Sequence, residues 1–178
     1  VFDSGLGSLS IIKEIQKITK SEIIYFADQK NYPYGKKTRA QLSTIIQKTI
    51  KLLEKEFAPE IIVVASNTPS LMLDLSTQKI IDVKPPLEIA KKITKTKQIG
   101  ILATKSAINS KGLSEYIRKN NFSKSFKIFK INGSNLVDLV ESGKFLTDKK
   151  YCKKIIKKDL EILSQQSVDT ITLSSTHL

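Results

Sequence analysis

The sequence predicts an α/β protein built on parallel sheets, and three observations carry that prediction. Ile61-Ile62-Val63-Val64-Ala65 is an unbroken apolar run that stops at Ser66-Asn67-Thr68, the pattern of a parallel strand buried on both faces with a polar turn at its carboxyl end. Thr170-Ile171-Thr172-Leu173 repeats the design, running into Ser174-Ser175-Thr176-His177. Between and around these runs, strand-like and helix-like segments alternate, which implies parallel strands joined by right-handed crossovers. Open α/β sheets hold their ligands at the carboxyl ends of strands. Two strands ending in matched hydroxyl clusters therefore suggest one pocket served from two sides.

Composition narrows the class. The 178 residues are 40% hydrophobic, enough for one large or two small α/β cores. No apolar stretch approaches the roughly 20 residues that span a bilayer, and no secretory signal precedes the first strand-like segment. A cytoplasmic protein without membrane contact is the expectation. The single cysteine, Cys152, excludes an internal disulfide framework and a cysteine-based metal cage. The net charge of +13 would suit a nucleic-acid partner, but its distribution argues otherwise. Lys149, Lys150, Lys153, Lys154, Lys157 and Lys158 read as the solvent side of one helix whose apolar stripe is Cys152, Ile155, Ile156, Leu160 and Leu163. No zinc-finger spacing or aromatic stacking pattern accompanies them.

Taken in order, Val1-Phe2 enters the small-residue turn Asp3-Ser4-Gly5-Leu6-Gly7-Ser8, and Leu9, Ile12, Ile15 and Ile18 mark an amphipathic helix. Such a turn offers backbone N–H groups and the positive end of a helix dipole to an anion. Ile23-Ile24-Tyr25-Phe26 reads as a buried strand ending in Ala27-Asp28, followed by a loop in which Pro33 and Gly35 fix a turn that presents Tyr34. A helix is expected from Thr38 to about Phe57. After the central strand, Ser70 and Leu71 open the next helix, and Ile80-Ile81-Asp82-Val83 is a short strand cut by Lys84-Pro85-Pro86.

A helix from Leu87 to Ile93 leads to the polar stretch Thr94 to Gln98, the best boundary in the chain. It divides a first α/β domain, residues 1–94, from a second, residues 95–178. Ile99-Gly100-Ile101-Leu102 restarts the pattern as a strand ending at Ala103-Thr104, and Ser110 to Asn120 reads as a helix. Phe126 to Ile131 is a further strand, and Leu136 to Glu141 a helical turn carrying Glu141.

Together Phe2-Asp3-Ser4-Gly5, Tyr25-Phe26-Ala27-Asp28, Pro33-Tyr34-Gly35, Val64-Ala65-Ser66-Asn67-Thr68 with Ser70, Ala103-Thr104-Lys105, Glu141 and Ser175-Thr176-His177 resemble the glutamate racemases of the aspartate/glutamate racemase superfamily. The resemblance covers essentially the whole chain and keeps the family's motif order. It implies two similar parallel-sheet α/β domains facing each other across a cleft, with neither pyridoxal phosphate nor metal. It also implies racemisation by two opposed bases at the α-carbon of an amino acid, most simply glutamate, and leaves a homodimer as a possible state. In the family both bases are cysteines, whereas Ser66 and Ser175 stand at the two positions here. Asp3, Asp28, Glu141 and His177 match the acidic and imidazole residues that assist those bases. Ser4, Pro33, Tyr34, Gly35, Asn67, Thr68, Thr104 and Thr176 match substrate-binding positions. Other departures are Ser8 for a second glycine, Asn31 for arginine, Lys84 for glutamate and Ala107 for threonine. Family members also begin before the first strand and continue past Thr-His, so the chain reads as a candidate fragment whose missing end would return to the first domain.

The serines bear directly on the chemistry. A cysteine thiol, with an ordinary pKa of about 8.5, is readily tuned to thiolate, and a matched base contributes roughly 100- to 10,000-fold to proton transfer. A serine hydroxyl is far less acidic. The sequence thus supports a glutamate racemase impaired by serine at both base positions, with a catalytically silent amino-acid-binding homologue as the alternative.

Overall fold

A computed structural model describes residues 1–178, the side chain of Ser164 excepted. Its elements alternate as the sequence predicts: β1 (Phe2–Asp3), α1 (Ser8–Ile18), β2 (Phe26–Ala27), α2 (Arg39–Phe57), β3 (Ile62–Val64), α3 (Asn67–Met72), β4 (Ile80–Asp82) and α4 (Leu87–Ile93). There follow β5 (Gln98–Ala103), α5 (Lys105–Ile108), α6 (Lys111–Lys119), β6 (Lys127–Asn132), α7 (Ser134–Glu141), α8 (Lys144–Thr147), α9 (Lys149–Asp159), α10 (Glu161–Gln165) and β7 (Thr170–Ser174).

The strands form two parallel sheets, one ordered β2-β1-β3-β4 and the other β6-β5-β7. The inner strands are β1 and β3 in the first sheet and β5 in the second, with β3 and β5 the apolar ones. β1 pairs Phe2 with both Phe26 and Val64, and β5 pairs Ile99 to Ala103 with β7 on one side and β6 on the other. Three apolar clusters fill the spaces around the sheets. Phe2, Tyr34, Leu42, Ile46, Leu53, Ile62 and Val64 lie under the first sheet. Leu102, Ile131, Leu136, Leu139 and Cys152 lie on one side of the second. The remaining cluster joins Leu71 of α3 and Leu87 of α4 to Ile101, Ala103, Ala107 and Leu113, so elements that precede the second sheet in sequence help to build its core.

Local chemistry explains the helix ends. Thr38 caps α2 through a capping box with Gln41, and Ser110 accepts the Leu113 N–H at the start of α6, as short hydroxyl side chains do at orphan N–H groups. Asp148 caps α9 through the Tyr151 N–H. Where the chain passes between the sheets, Asp169 accepts hydrogen bonds from the Thr94 hydroxyl and the Lys95 and Thr96 N–H groups. These donors hold its carboxyl far below the usual range.

Three expectations are corrected. Ile23 to Phe26 is not a buried strand: only Phe26–Ala27 pairs, and Ile24 and Tyr25 are exposed. The strand is at the edge, beside a two-residue partner, so little of it can be both paired and covered. The helix expected from Ser70 begins at Asn67, with Ser66 in the N-cap position. In β7 the burial is inverted relative to a simple apolar run, because Thr170, Thr172 and Ser174 face inward while Ile171 and Leu173 are 38% and 53% exposed. The Thr172 and Ser174 hydroxyls are satisfied by each other and by the Gly100 carbonyl, and the Thr170 hydroxyl donates to Asp169, which is what permits their burial. No described helix is long and apolar enough to cross a membrane.

The two halves meet closely where α6 packs on α3. A Cβ built on Gly112 would lie 1.5 Å from the Leu71 carbonyl oxygen, and a backbone atom cannot swing away as a side-chain end can. Gly112→Ala should therefore destabilise the protein by about 1–3 kcal/mol, the range for overpacking, in a urea titration. An unchanged midpoint would show that the two halves part at no cost.

Candidate functional site

The carboxyl ends of β1 and β3 in one sheet and of β5 and β7 in the other open onto one cleft. From the first half it receives Asp3 at the end of β1, Ser4 just after it, and Ser66, Asn67 and Thr68 after β3. From the second it receives Thr104 after β5, and Ser175 and His177 after β7. Both serines thus line the same cleft, from different sheets. Pro33, Tyr34 and Gly35 supply one wall. The cleft is narrow: its free volume is about 40 Å³, room for about three waters at roughly 10–15 Å³ each.

Asp3 is the most constrained group. It is 1% exposed, and its Oδ1 accepts the Ser4 N–H at 2.6 Å while Oδ2 accepts the Thr176 hydroxyl at 3.0 Å. The His177 Nδ1 lies 3.9 Å from the same Oδ2. Burial pushes the Asp3 carboxyl above its ordinary pKa, against the opposing pull of His177 and of hydrogen bonds from Ser4, Ser66 and Thr176. Asp3 is therefore in reach of groups from both halves. Gly7 makes this approach feasible, since a Cβ there would meet Thr176 Oγ1 at 2.3 Å and His177 Nδ1 at 2.6 Å.

His177 is held from behind. Its Nε2 makes a short hydrogen bond to Glu141 Oε1, which also accepts the Leu6 N–H at 2.7 Å. Glu141 therefore fixes the imidazole and the first turn together. Gly5 leaves the carboxylate its space, because a Cβ there would come within 2.0 Å of Oε1.

The remaining expected residues divide between the cleft and its supports. Thr68 and Thr104 share a hydrogen bond of 2.9 Å across the halves, and Gly35 packs on the Thr104 side chain. The Asn67 amide donates to the Val83 carbonyl at 2.8 Å. Ser4 Oγ accepts the Tyr34 N–H at 3.4 Å. Asp28, Glu141 and Thr176 are absent from the lining. Asp28 is buried and accepts the Tyr34 hydroxyl at 2.9 Å, the Asn31 amide at 2.8 Å and the Thr49 hydroxyl at 3.4 Å. It anchors the Tyr34 wall and faces neither serine from within the cleft. Burial, followed by the Asp28 charge, pushes the Tyr34 phenol far above its ordinary pKa, so it serves as a hydrogen-bond donor.

Five lining residues escaped the sequence reading: Tyr32, Lys36, Ser134, Val137 and Asp138. Asp138 had a signal, since it precedes Glu141 by one helical turn and residues three apart share a face. Tyr32 had a weaker one, its place beside Pro33 in an aromatic loop.

No family model matches the sequence. Individual proteins do. The chain is 35% identical over 189 aligned residues to a glutamate racemase of Buchnera aphidicola, covering 99% of this chain and 69% of the relative. Among solved structures, Escherichia coli glutamate racemase in complex with L-glutamate and its activator UDP-MurNAc-ala superposes with a TM-score of 0.83 at 25% identity, over 99% of this chain and 68% of that one. Francisella tularensis glutamate racemase in complex with D-glutamate gives 0.81 at 27% identity, over 99% and 67%. The chain thus spans about two thirds of the length of these relatives. With that extent of identity and the two-sheet cleft in common, the chain belongs to the glutamate racemase family.

Proposed function

We propose that the cleft binds glutamate and interconverts its L and D forms by proton transfer at the α-carbon, with Ser66 and Ser175 at the two opposed faces. The single observation that carries the reading is the meeting of both serines in one cleft from different sheets. Relatives solved with L-glutamate and with D-glutamate support the substrate. Ser4, Asn67, Thr68 and Thr104, with the Pro33–Tyr34–Gly35 wall, are the residues we assign to hold or frame the zwitterion, while Thr176 supports the site through Asp3. Hydroxyls, amides and N–H groups suit that task in a cleft with little water. We expect the reaction to need neither pyridoxal phosphate nor metal, in the cytoplasm, with a second copy of the chain as the only macromolecular partner and no nucleic acid.

In this reading the two serines limit the chemistry. An aliphatic hydroxyl gives little alkoxide near neutral pH, so each needs a local base. Asp3 is the group best placed to draw on Ser66, with which it interacts, while the Glu141–His177 pair stands at the end of the strand that delivers Ser175. Asp28 acts one step removed, through Tyr34. The silent amino-acid-binding homologue remains the second reading, favoured by the same serines.

Cysteine substitution separates the two. Ser66→Cys or Ser175→Cys alone restores one base, so each variant should exchange the α-proton of one enantiomer with solvent deuterium yet racemise slowly. The double variant should racemise at least about 100-fold faster than either single one, as expected of residues acting as a unit. Circular dichroism of L-glutamate solutions would follow this. A double variant that binds glutamate and leaves it unchanged would establish the silent reading.

Asp3 supplies a pH prediction. Its pKa is raised in the folded protein, so its protonated form favours folding below the unfolded pKa of about 3.9. That contribution is lost as pH rises through the folded value. Asp3→Asn should therefore gain stability relative to the parent as pH climbs from about 4 and level off at higher pH, while losing proton transfer. A stability difference independent of pH in urea titrations would contradict the assignment.

A further inference from the structure

A dicarboxylic amino acid carries two carboxylates and one ammonium at neutral pH, so a cleft that takes it must hold a net negative charge. An anion moved out of water without a partner is costly. The groups inside the cleft do little to offset that cost: Asp3 and Asp138 line it with carboxyl groups, and the His177 imidazole is committed to Glu141. Lys36 is the one lysine or arginine among the lining residues.

Its place follows from two facts. Lys36 lines the cleft and is also exposed, so it stands at the rim and not in the depth. The backbone is fixed there. Lys36 ends the short turn Tyr34–Lys36, and its N–H donates to the Pro33 carbonyl at 3.2 Å. The carbonyl of the preceding Gly35 accepts the Ser106 hydroxyl from the other half, and Tyr34 is buried with its hydroxyl on Asp28. The ammonium, by contrast, is uncommitted. Among the described residues it makes no ion pair and no hydrogen bond, whereas Lys84 is held by Asp82 at 3.0 Å. A fixed root with a free charge on a flexible four-carbon stem suits a group that meets an anionic ligand.

Depth decides which carboxylate it meets. Ser66 and Ser175 are each 7% exposed, so an α-carbon between them lies inside the cleft together with its own carboxylate and ammonium. Only the far end of the side chain can reach the rim. We propose that Lys36 is a specificity-determining residue whose ammonium takes the side-chain carboxylate, selecting an acidic amino acid over its uncharged amide. The inference deepens the reading of the cleft as an amino-acid site and rests on it.

The test is calorimetric binding of L-glutamate and L-glutamine to the parent, Lys36→Met and Lys36→Arg. Glutamine has the same length, but its side chain carries no charge. The parent should prefer glutamate. Lys36→Met keeps the apolar stem, and should weaken glutamate about three- to tenfold, as for a charged hydrogen bond partly screened by solvent. Its affinity for glutamine should stay within about twofold of the parent's. Lys36→Arg should keep most of the preference. Raising salt from about 0.01 to 0.15 M, which shortens the Debye length from about 30 to about 8 Å, should weaken glutamate binding more in the parent than in Lys36→Met. Equal losses for both ligands in Lys36→Met would assign the residue a merely structural part and overturn the proposal, as would an unchanged affinity for glutamate. A parent that binds both amino acids equally would overturn it while the amino-acid reading stood. A parent that binds neither would end that reading, and the role of Lys36 with it.

Discussion

The buried carboxylate of Asp3 is the constraint on which the rest of the site depends. It sits at the end of β1, an inner strand of the first sheet, and takes the Thr176 hydroxyl from just beyond β7 in the second. A carboxylate removed from water is costly unless its lone pairs are satisfied. Here the donors come from both halves, so the favourable arrangement of Asp3 exists only when the halves are together. The glycines follow from this requirement. Gly5 and Gly7 have no side chain because Glu141, Thr176 and His177 occupy that space.

Polar ties of this kind run along the whole seam. Thr68 meets Thr104, the Ser106 hydroxyl donates to the Gly35 carbonyl, and Glu141 joins Leu6 to His177. Apolar packing accompanies them where Leu71 and Leu87 enter the core of the second half and the Leu71 carbonyl rests on Gly112. The seam therefore combines hydrogen bonds, each replaced by water if the halves part, with a buried apolar cluster that resists parting.

Strand ends were the legible part of the sequence. The runs that stop at Ser66-Asn67-Thr68 and at Ser174-Ser175-Thr176-His177 located the two deliveries, although only the first belongs to an inner strand, β7 being an edge strand whose apolar residues face outward. The edge strand was less legible: Ile23-Ile24-Tyr25 is as apolar as a buried strand, yet nothing local reveals that its neighbour offers only two residues for pairing. Asp28 was placed near the chemistry on motif grounds, and only the geometry of Tyr34 shows the contact it makes. Asp138 and Tyr32 were missed because they come together only as lining of one cleft, a relation between residues more than a hundred positions apart that no local pattern encodes. The inward-facing threonines of β7 were hidden for a related reason, since the Thr172 hydroxyl is satisfied by Gly100 of the neighbouring strand and by Ser174, and that of Thr170 by Asp169.

The central claim is that Ser66 and Ser175 flank a single α-carbon. A crystal structure of this chain grown with D-glutamate tests it most directly. In a two-base site the α-carbon lies between the two hydroxyl oxygens, one on each face. A ligand seated with both serines on the same face of its α-carbon, or bound outside the cleft, would contradict the claim.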